Sequence, residues 1–126
     1  MSKEKFYRCD HCGNLVGMVN NAGVPMICCG QKMTELIPNT TDGAIEKHVP
    51  SVTVSGNTVK VQVGSVAHPM LPEHYITFVY LLTEKGGQRK ALSSGEAPSA
   101  EFVLVGDKPV AVYEYCNIHG LWKKDI

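Results

Sequence analysis

No run of apolar residues in this chain approaches the length of a membrane span. The longest, Tyr75–Leu82, is interrupted by Thr77 and has the size of a strand. The opening stretch, MSKEKFYRCD, holds no apolar segment of the kind a secretory signal carries. These absences predict a cytoplasmic protein with no membrane partner. Charge of one sign is not in excess either: Lys and Arg number 12, as do Asp and Glu. No global basic field is there to draw nucleic acid, although a local field around one site remains open. No long stretch shows helical periodicity, and there is no internal repeat or low-complexity tract. Hydrophobic residues at 44% and charged residues at 19% are ordinary values for a soluble globular chain, which excludes disorder and a fibrous architecture.

Thiols are missing from Gly30 to Tyr115. Four of the 5 cysteines fall before that gap, and Cys116 follows it. In a reducing compartment such thiols favour metal binding over disulfides, and an odd count cannot close a disulfide framework. The uneven distribution divides the chain near Pro38–Asn39 into a small segment, residues 1–37, and a larger one, residues 38–126.

In the first segment, Leu15–Val19 and Val24–Ile27 are short apolar stretches separated by Asn20, Asn21 and Gly23. They predict short strands with tight turns. So small a segment buries too little to fold unaided, so a metal has to supply folding energy. Its size also suggests docking against another surface, such as a second subunit. The second segment reads as all-β. Ser51–Ser55 and Thr58–Val63 flank Gly56-Asn57, a two-residue hairpin signal. Tyr75–Thr83 predicts a strand ended by Gly86-Gly87, and Glu101–Val105 and Val110–Tyr115 predict two more. Strands at this spacing suggest an immunoglobulin-like β-sandwich.

Cys9-Asp10-His11-Cys12 forms a C-x-x-C knuckle, in which two sulfurs converge on one metal while backbone N–H groups point at them. Cys28 and Cys29 complete a tetrahedral four-sulfur set, which suits zinc or iron. Spacing alone places zinc first, as a structural ribbon. Adjacent cysteines normally point apart, so the backbone at 28–29 must bend. His11 is expected to be a solvent-facing spacer.

Four histidines lie in the β segment. Taken singly, each is an ordinary polar residue and Cys116 a small buried one. Their contexts weigh against that reading. His48 sits in EKHVP, His68 and His74 in AHPMLPEH, and Cys116 and His119 form a C-x-x-H pair. All are turn-like segments at strand ends, and loops at one end of a sandwich can converge. Four imidazoles and one thiolate exceed what structural zinc takes. They fit a metal that accepts six ligands with one position left open.

At this point the motifs resemble those of the desulfoferrodoxin family: CDHCG at 9–13, CCG at 28–30, EKHVP at 46–50, VAHPM at 66–70, EHY at 73–75 and EYCNIHGLW at 114–122. The resemblance implies two iron ions. One is held desulforedoxin-like by Cys9, Cys12, Cys28 and Cys29. The other is held equatorially by His48, His68, His74 and His119, with Cys116 axial. It implies one-electron reduction of superoxide to hydrogen peroxide, with Glu46 and Lys47 as the charged pair beside the open face. It further implies re-reduction by rubredoxin or a similar small carrier, and a homodimer. Whether the first iron relays electrons or only holds the fold stays open. Two other classes are kept in view, an electron carrier with no substrate and a structural zinc module.

Overall fold

The computed structural model describes residues 4–126. Met1–Lys3, where the stretch read for a leader begins, lie outside the described residues. The chain divides into two compact units, Met1–Ile37 and Pro38–Ile126.

The first unit carries five short strands: β1 (Phe6–Arg8), β2 (Leu15–Gly17), β3 (Ile27–Cys28), β4 (Gln31–Lys32) and β5 (Thr34–Glu35). β1 pairs antiparallel with β2 on one side and β5 on the other, and β3 pairs with β4. The expected strand at Leu15–Val19 stops at Gly17, and Val24–Ile27 contributes only its last residue to β3. Strands this short follow from the interior they share. Among the described residues of this unit, Phe6, Cys9 and Met33 are the buried apolar side chains, too few to support longer paired runs.

The second unit is a sandwich. After a single helical turn, α1 (Ile45–His48), come β6 (Pro50–Ser55), β7 (Thr58–Val63), β8 (Ile76–Thr83), β9 (Gly86–Ala91), β10 (Ser99–Val103), β11 (Pro109–Cys116) and β12 (Gly120–Asp125). One antiparallel sheet has the order β10-β7-β6 and the other β12-β11-β8-β9. β7 alternates strictly: Val59, Val61 and Val63 are buried while Lys60 and Gln62 are exposed. That is the pattern of a strand with one face on the core. Val79 and Leu81 of β8, Phe102 of β10 and Val112 of β11 close the same core.

The expected hairpin at Gly56-Asn57 is present. Ser55 pairs with Thr58, and Gly56 has φ 58°, as the first position of a type II′ turn requires. The expected stop at Gly86-Gly87 is displaced. β8 and β9 are joined at Glu84-Lys85, with Thr83 opposite Gly86, and the two glycines begin the return strand. The physical reason lies at Gly87, where any Cβ would strike the Tyr80 hydroxyl. That glycine serves a close cross-strand approach rather than a turn.

One of the two register irregularities on β11 bears on the site. Tyr115 pairs with Phe78, but Cys116 pairs with Ile76, so Thr77 is the extra residue on β8. The slip turns Ile76 inward beside Cys116, and both join the core. Among the described residues, no helix is long and apolar enough to cross a membrane.

Candidate metal centres

In the first unit, Cys9, Cys12, Cys28 and Cys29 present their sulfurs to one point. The knuckle closes through Gly13 N–H donating to Cys9 O at 2.9 Å and Cys9 N–H to Asn14 O at 2.8 Å. Asp10 anchors it: its carboxylate accepts from Thr34 Oγ1 at 2.6 Å on β5 and from Arg8 at 3.4 Å. The expected bend at the adjacent cysteines is a turn between β3 and β4. Cys28 pairs with Gln31 across Cys29 and Gly30, whose φ values are 53° and 71°. Two successive left-handed residues turn the second sulfur back toward the first. His11 is exposed, as a spacer should be.

The sulfurs of Cys12 and Cys28 are 3.6 Å apart and those of Cys28 and Cys29 3.9 Å. A disulfide would be ~2.0 Å. A tetrahedron with ~2.3 Å metal–sulfur bonds has edges of about 3.8 Å, so the spacing fits a metal. The electrostatics agree. N–H donation from Cys12 lowers Cys9 to about 6, while hydrogen bonding to the Cys12 and Cys9 sulfurs raises Cys29 to about 12. One thiolate makes its neighbours hold their protons, and four thiolates together need a cation.

In the second unit the five residues expected from the sequence meet as well. α1 supplies His48, the segment after β7 supplies His68 and His74, the end of β11 supplies Cys116, and the turn to β12 supplies His119. Ring centroids run His48–His68 4.7 Å, His68–His74 4.7 Å, His74–His119 4.9 Å and His119–His48 4.7 Å. Four rings, each touching two others edge-on, form a closed square. His48 lies opposite His74, and His68 opposite His119.

Backbone carbonyls fix the ring tautomers. His48 Nδ1 lies 2.8 Å from Ala44 O and His68 Nδ1 2.7 Å from Pro69 O. A carbonyl accepts only, so those nitrogens carry the protons and both Nε2 atoms face inward as bare lone pairs. The 3.2 Å between them is therefore not a hydrogen bond. His119 Nδ1 is 3.1 Å from His48 Nε2, and His74 Nε2 is buried without a partner. A square with nitrogen-to-nitrogen sides of 3.1–3.2 Å has its centre about 2.2 Å from each nitrogen, close to the ~2.0–2.1 Å of a metal–imidazole bond. Burial lowers His68 to about 4, and burial likewise pulls His48 and His74 down, so these three rings are neutral ligands.

Cys116 is fully buried and belongs to the core cluster. Its Sγ lies 3.7 Å from His119 Nδ1 and accepts the His119 backbone N–H at 3.4 Å. Burial raises the thiol, while N–H groups of His119 and Ile118 work against that. The sulfur approaches from the core, which leaves the opposite face of the square for a further ligand. Five donors with one free face fit a six-coordinate ion better than structural zinc.

Glu46 and Lys47 are exposed on α1. The Glu46 carbonyl accepts from Val66 N–H at 2.9 Å and Ser65 Oγ at 3.2 Å, which fastens α1 to the loop before His68. Gly64, at φ 79°, makes room for this: a Cβ there would meet Glu46 O and Lys47 Cα. The Lys47 charge is close enough to His74 to oppose its protonation.

Three further residues at the site have no role assigned from the sequence, although Glu114 and Trp122 are the two ends of the EYCNIHGLW motif. Trp122 stacks on His48 with centroids 5.0 Å apart, and its Nε1 donates to His119 O at 3.0 Å. Thr41 donates its hydroxyl to the same carbonyl. Glu114 points inward from β11, fully buried with neither carboxylate oxygen hydrogen-bonded, and burial raises it well above its ordinary value.

Fold and site together define a class: a two-unit β protein with a four-thiolate centre and a separate square of imidazoles beside a buried thiolate. Comparison with known proteins gives the family. The desulfoferrodoxin family model matches residues 40–125, and the model of the desulfoferrodoxin N-terminal domain matches residues 2–36. Desulfoferrodoxin of Nitratidesulfovibrio vulgaris is 46% identical over 96% of this chain and 95% of its own. The crystal structure of the superoxide reductase from Treponema pallidum superposes with a TM-score of 0.83 at 42% identity, covering 98% of this chain and 100% of that one. A one-iron superoxide reductase from Giardia intestinalis, 31% identical, covers 64% of this chain with a TM-score of 0.56. The chain belongs to the desulfoferrodoxin family. Its four-cysteine and four-histidine, one-cysteine groups are those of the family's two iron centres.

Proposed function

We propose that this protein is a superoxide reductase: superoxide, one electron and two protons give hydrogen peroxide. The observation that carries the reading is the square of four imidazoles whose ligand atoms gather with the buried Cys116 sulfur. Iron bound there would supply the electron. Cys116 contributes electron density from the core side, and that favours donation to a small ligand on the free face. The lysine at position 47 attracts the anion and can order a proton-bearing water, while His48 and His68 are held in their ligand tautomer by Ala44 and Pro69. Glu46, on the same turn as Lys47, is the carboxylate that could serve as a further ligand if iron is bound and oxidised.

In this reading residues 38–126 form the catalytic domain, with His48, His68, His74, His119 and Cys116 as ligands. Residues 1–37 form a desulforedoxin-like domain with Cys9, Cys12, Cys28 and Cys29 as ligands. A small carrier of the rubredoxin kind returns the electron. A homodimer is supported by Val19, Val24, Ile27 and Ile37, all exposed on the small first unit. Five unpaired cysteines fit a cytoplasmic location. The test is to mix the reduced, iron-loaded protein with a pulse of superoxide. Rapid consumption with peroxide and no dioxygen is expected. Dioxygen release, or a rate no faster than spontaneous decay, would overturn the reading.

A further inference from the structure

The four corners of the square are not held alike. His48 and His68 each present Nε2 and are steadied by a carbonyl on Nδ1. His119 presents Nδ1, the nitrogen nearer the backbone, toward His48 and Cys116. An Nδ1 ligand has less side chain with which to correct an error, so its backbone must be placed more closely. The residue that follows is Gly120 at φ 82°, a soft left-handed position. Left alone, the peptide between them can rotate and carry the imidazole with it.

Two donors prevent that rotation. Trp122 Nε1 reaches His119 O at 3.0 Å, and the Thr41 hydroxyl donates to the same oxygen. Thr41 is brought there by Asn39, whose side-chain amide pairs with both backbone groups of Lys123 at 2.8 and 3.1 Å while its own N–H donates to Leu121 O at 3.0 Å. The same indole lies on the neighbouring ligand: its plane is 27° from that of His48, centroids 5.0 Å apart. Trp122 is itself buried, 2% exposed, and so has little freedom of its own.

We propose that Trp122 is a positioning residue for two adjacent corners of the second centre: its N–H fixes the His119 carbonyl and its ring face fixes the rotation of His48, with Thr41 as the second pin on that carbonyl. This rests on the reading of the site as an iron centre and adds to it which residues set the ligand geometry.

The test uses the full, iron-loaded chain and three variants. Trp122→Phe keeps a ring against His48 and loses the N–H. Trp122→Leu loses both. Thr41→Val removes the second pin at an exposed position. The readouts are the thiolate-to-iron absorption band of the oxidised second centre and the loss of its iron to a chelator. The four-thiolate bands of the first centre serve as internal control. Trp122→Phe should shift and broaden the band and weaken iron retention about tenfold, the cost usual for groups that orient a metal ligand. Trp122→Leu should do more, and Thr41→Val should move the band the same way by less. A lowered thermal midpoint with unchanged band and iron retention in Trp122→Phe and Thr41→Val would overturn the proposal and leave Trp122 a core residue. If Trp122→Leu does not fold, the other two decide. A wild type that shows no such band would overturn the iron reading itself, and this inference with it.

Discussion

The two metal groups of this protein are built by opposite strategies. The first draws all four ligands from two turns within about twenty residues, and Cys12 and Cys29 are exposed. Its fold is little more than the turns that aim the sulfurs. The second draws five ligands from segments spread between His48 and His119, and its sulfur is rooted in the core of a sandwich. There the sheets bury an apolar core of their own, and the ligands sit on loops gathered at one end. In the first unit the metal supplies a large share of folding energy; in the second, folding supplies the site.

Metal removal is the strongest way to break this contrast. Stripping the protein with a chelator should abolish the slow-exchanging amides of the first unit and leave those of β7, β8 and β11 protected. The measurement is amide hydrogen exchange of loaded and stripped protein. Loss of protection in both units at once would show that the sandwich also depends on its metal. Cys28→Ser should have the same local effect. It should remove the four-thiolate spectrum and spare superoxide consumption by the pre-reduced protein.

Within the sandwich, Gly64 is the position where backbone and site meet. It combines φ 79° with no room for a Cβ against Glu46 O and Lys47 Cα. Gly64→Ala should cost about 3 kcal/mol, strain and overlap together. Gly56 is also left-handed but has open space, so Gly56→Ala should cost only about 1 kcal/mol. Urea denaturation of both variants checks the ranking. Equal costs would mean that the turn carrying Glu46 and Lys47 moves aside freely.

Glu114 sharpens the comparison through pH. Burial raises its carboxyl, so the folded state keeps a proton that the unfolded chain releases above about pH 4.3. Stability is thereby lost as pH rises from that value toward the raised one. The buried histidines act in the opposite sense. Their folded values are lowered, so stability grows as pH rises from about 4, where His68 titrates, to the ordinary histidine value. Glu114→Gln removes only the first contribution. The variant should gain on the wild type by about 1–3 kcal/mol toward neutral pH, with no gain near pH 4. Metal-free proteins unfolded in urea across pH 4–8 give the difference. A difference that does not change with pH would mean that the carboxyl titrates normally.

How much of this was legible in the sequence follows the same divide. The four-sulfur set could be read directly, because both halves are contiguous motifs and the 28–29 bend was demanded by chemistry. The hairpin at 55–58 was equally local. β9 was missed because it is an edge strand, Gly-Gly-Gln-Arg-Lys-Ala, with no apolar alternation, and its glycines looked like a turn until Tyr80 was seen against Gly87. β1 spans three residues, β12 reads GLWKKD with its two apolar residues adjacent rather than alternating, and α1 is a single turn in which no period can show. In the second site the ligands carried enough local context to be singled out. Thr41 did not, and Glu114 and Trp122 stood in the EYCNIHGLW motif without a role until the fold brought them to Cys116, His119 and His48.

The smallest expected effect tests whether the second site also differs in its field. Lys47 is exposed, and a single exposed cation contributes little to stability. Its proposed influence is on the encounter. It stands near enough to His74 to oppose protonation of that ring, so its field reaches the square. Because the whole chain has no net charge, a local cation is not swamped by a global field. Superoxide is a small anion, and one unit charge near its binding face raises its local concentration several-fold at most, an effect that salt screens over about 10 Å at 0.1 M. Lys47→Ala should therefore slow the second-order reaction of the reduced protein with superoxide about three- to tenfold and flatten its dependence on ionic strength. The thermal midpoint and the oxidised spectrum should not move. Pulse radiolysis of wild type and variant from low to high salt provides both slopes. Two parallel lines would show that Lys47 does not steer the substrate, while a changed rate with an unchanged slope would assign it to proton delivery instead.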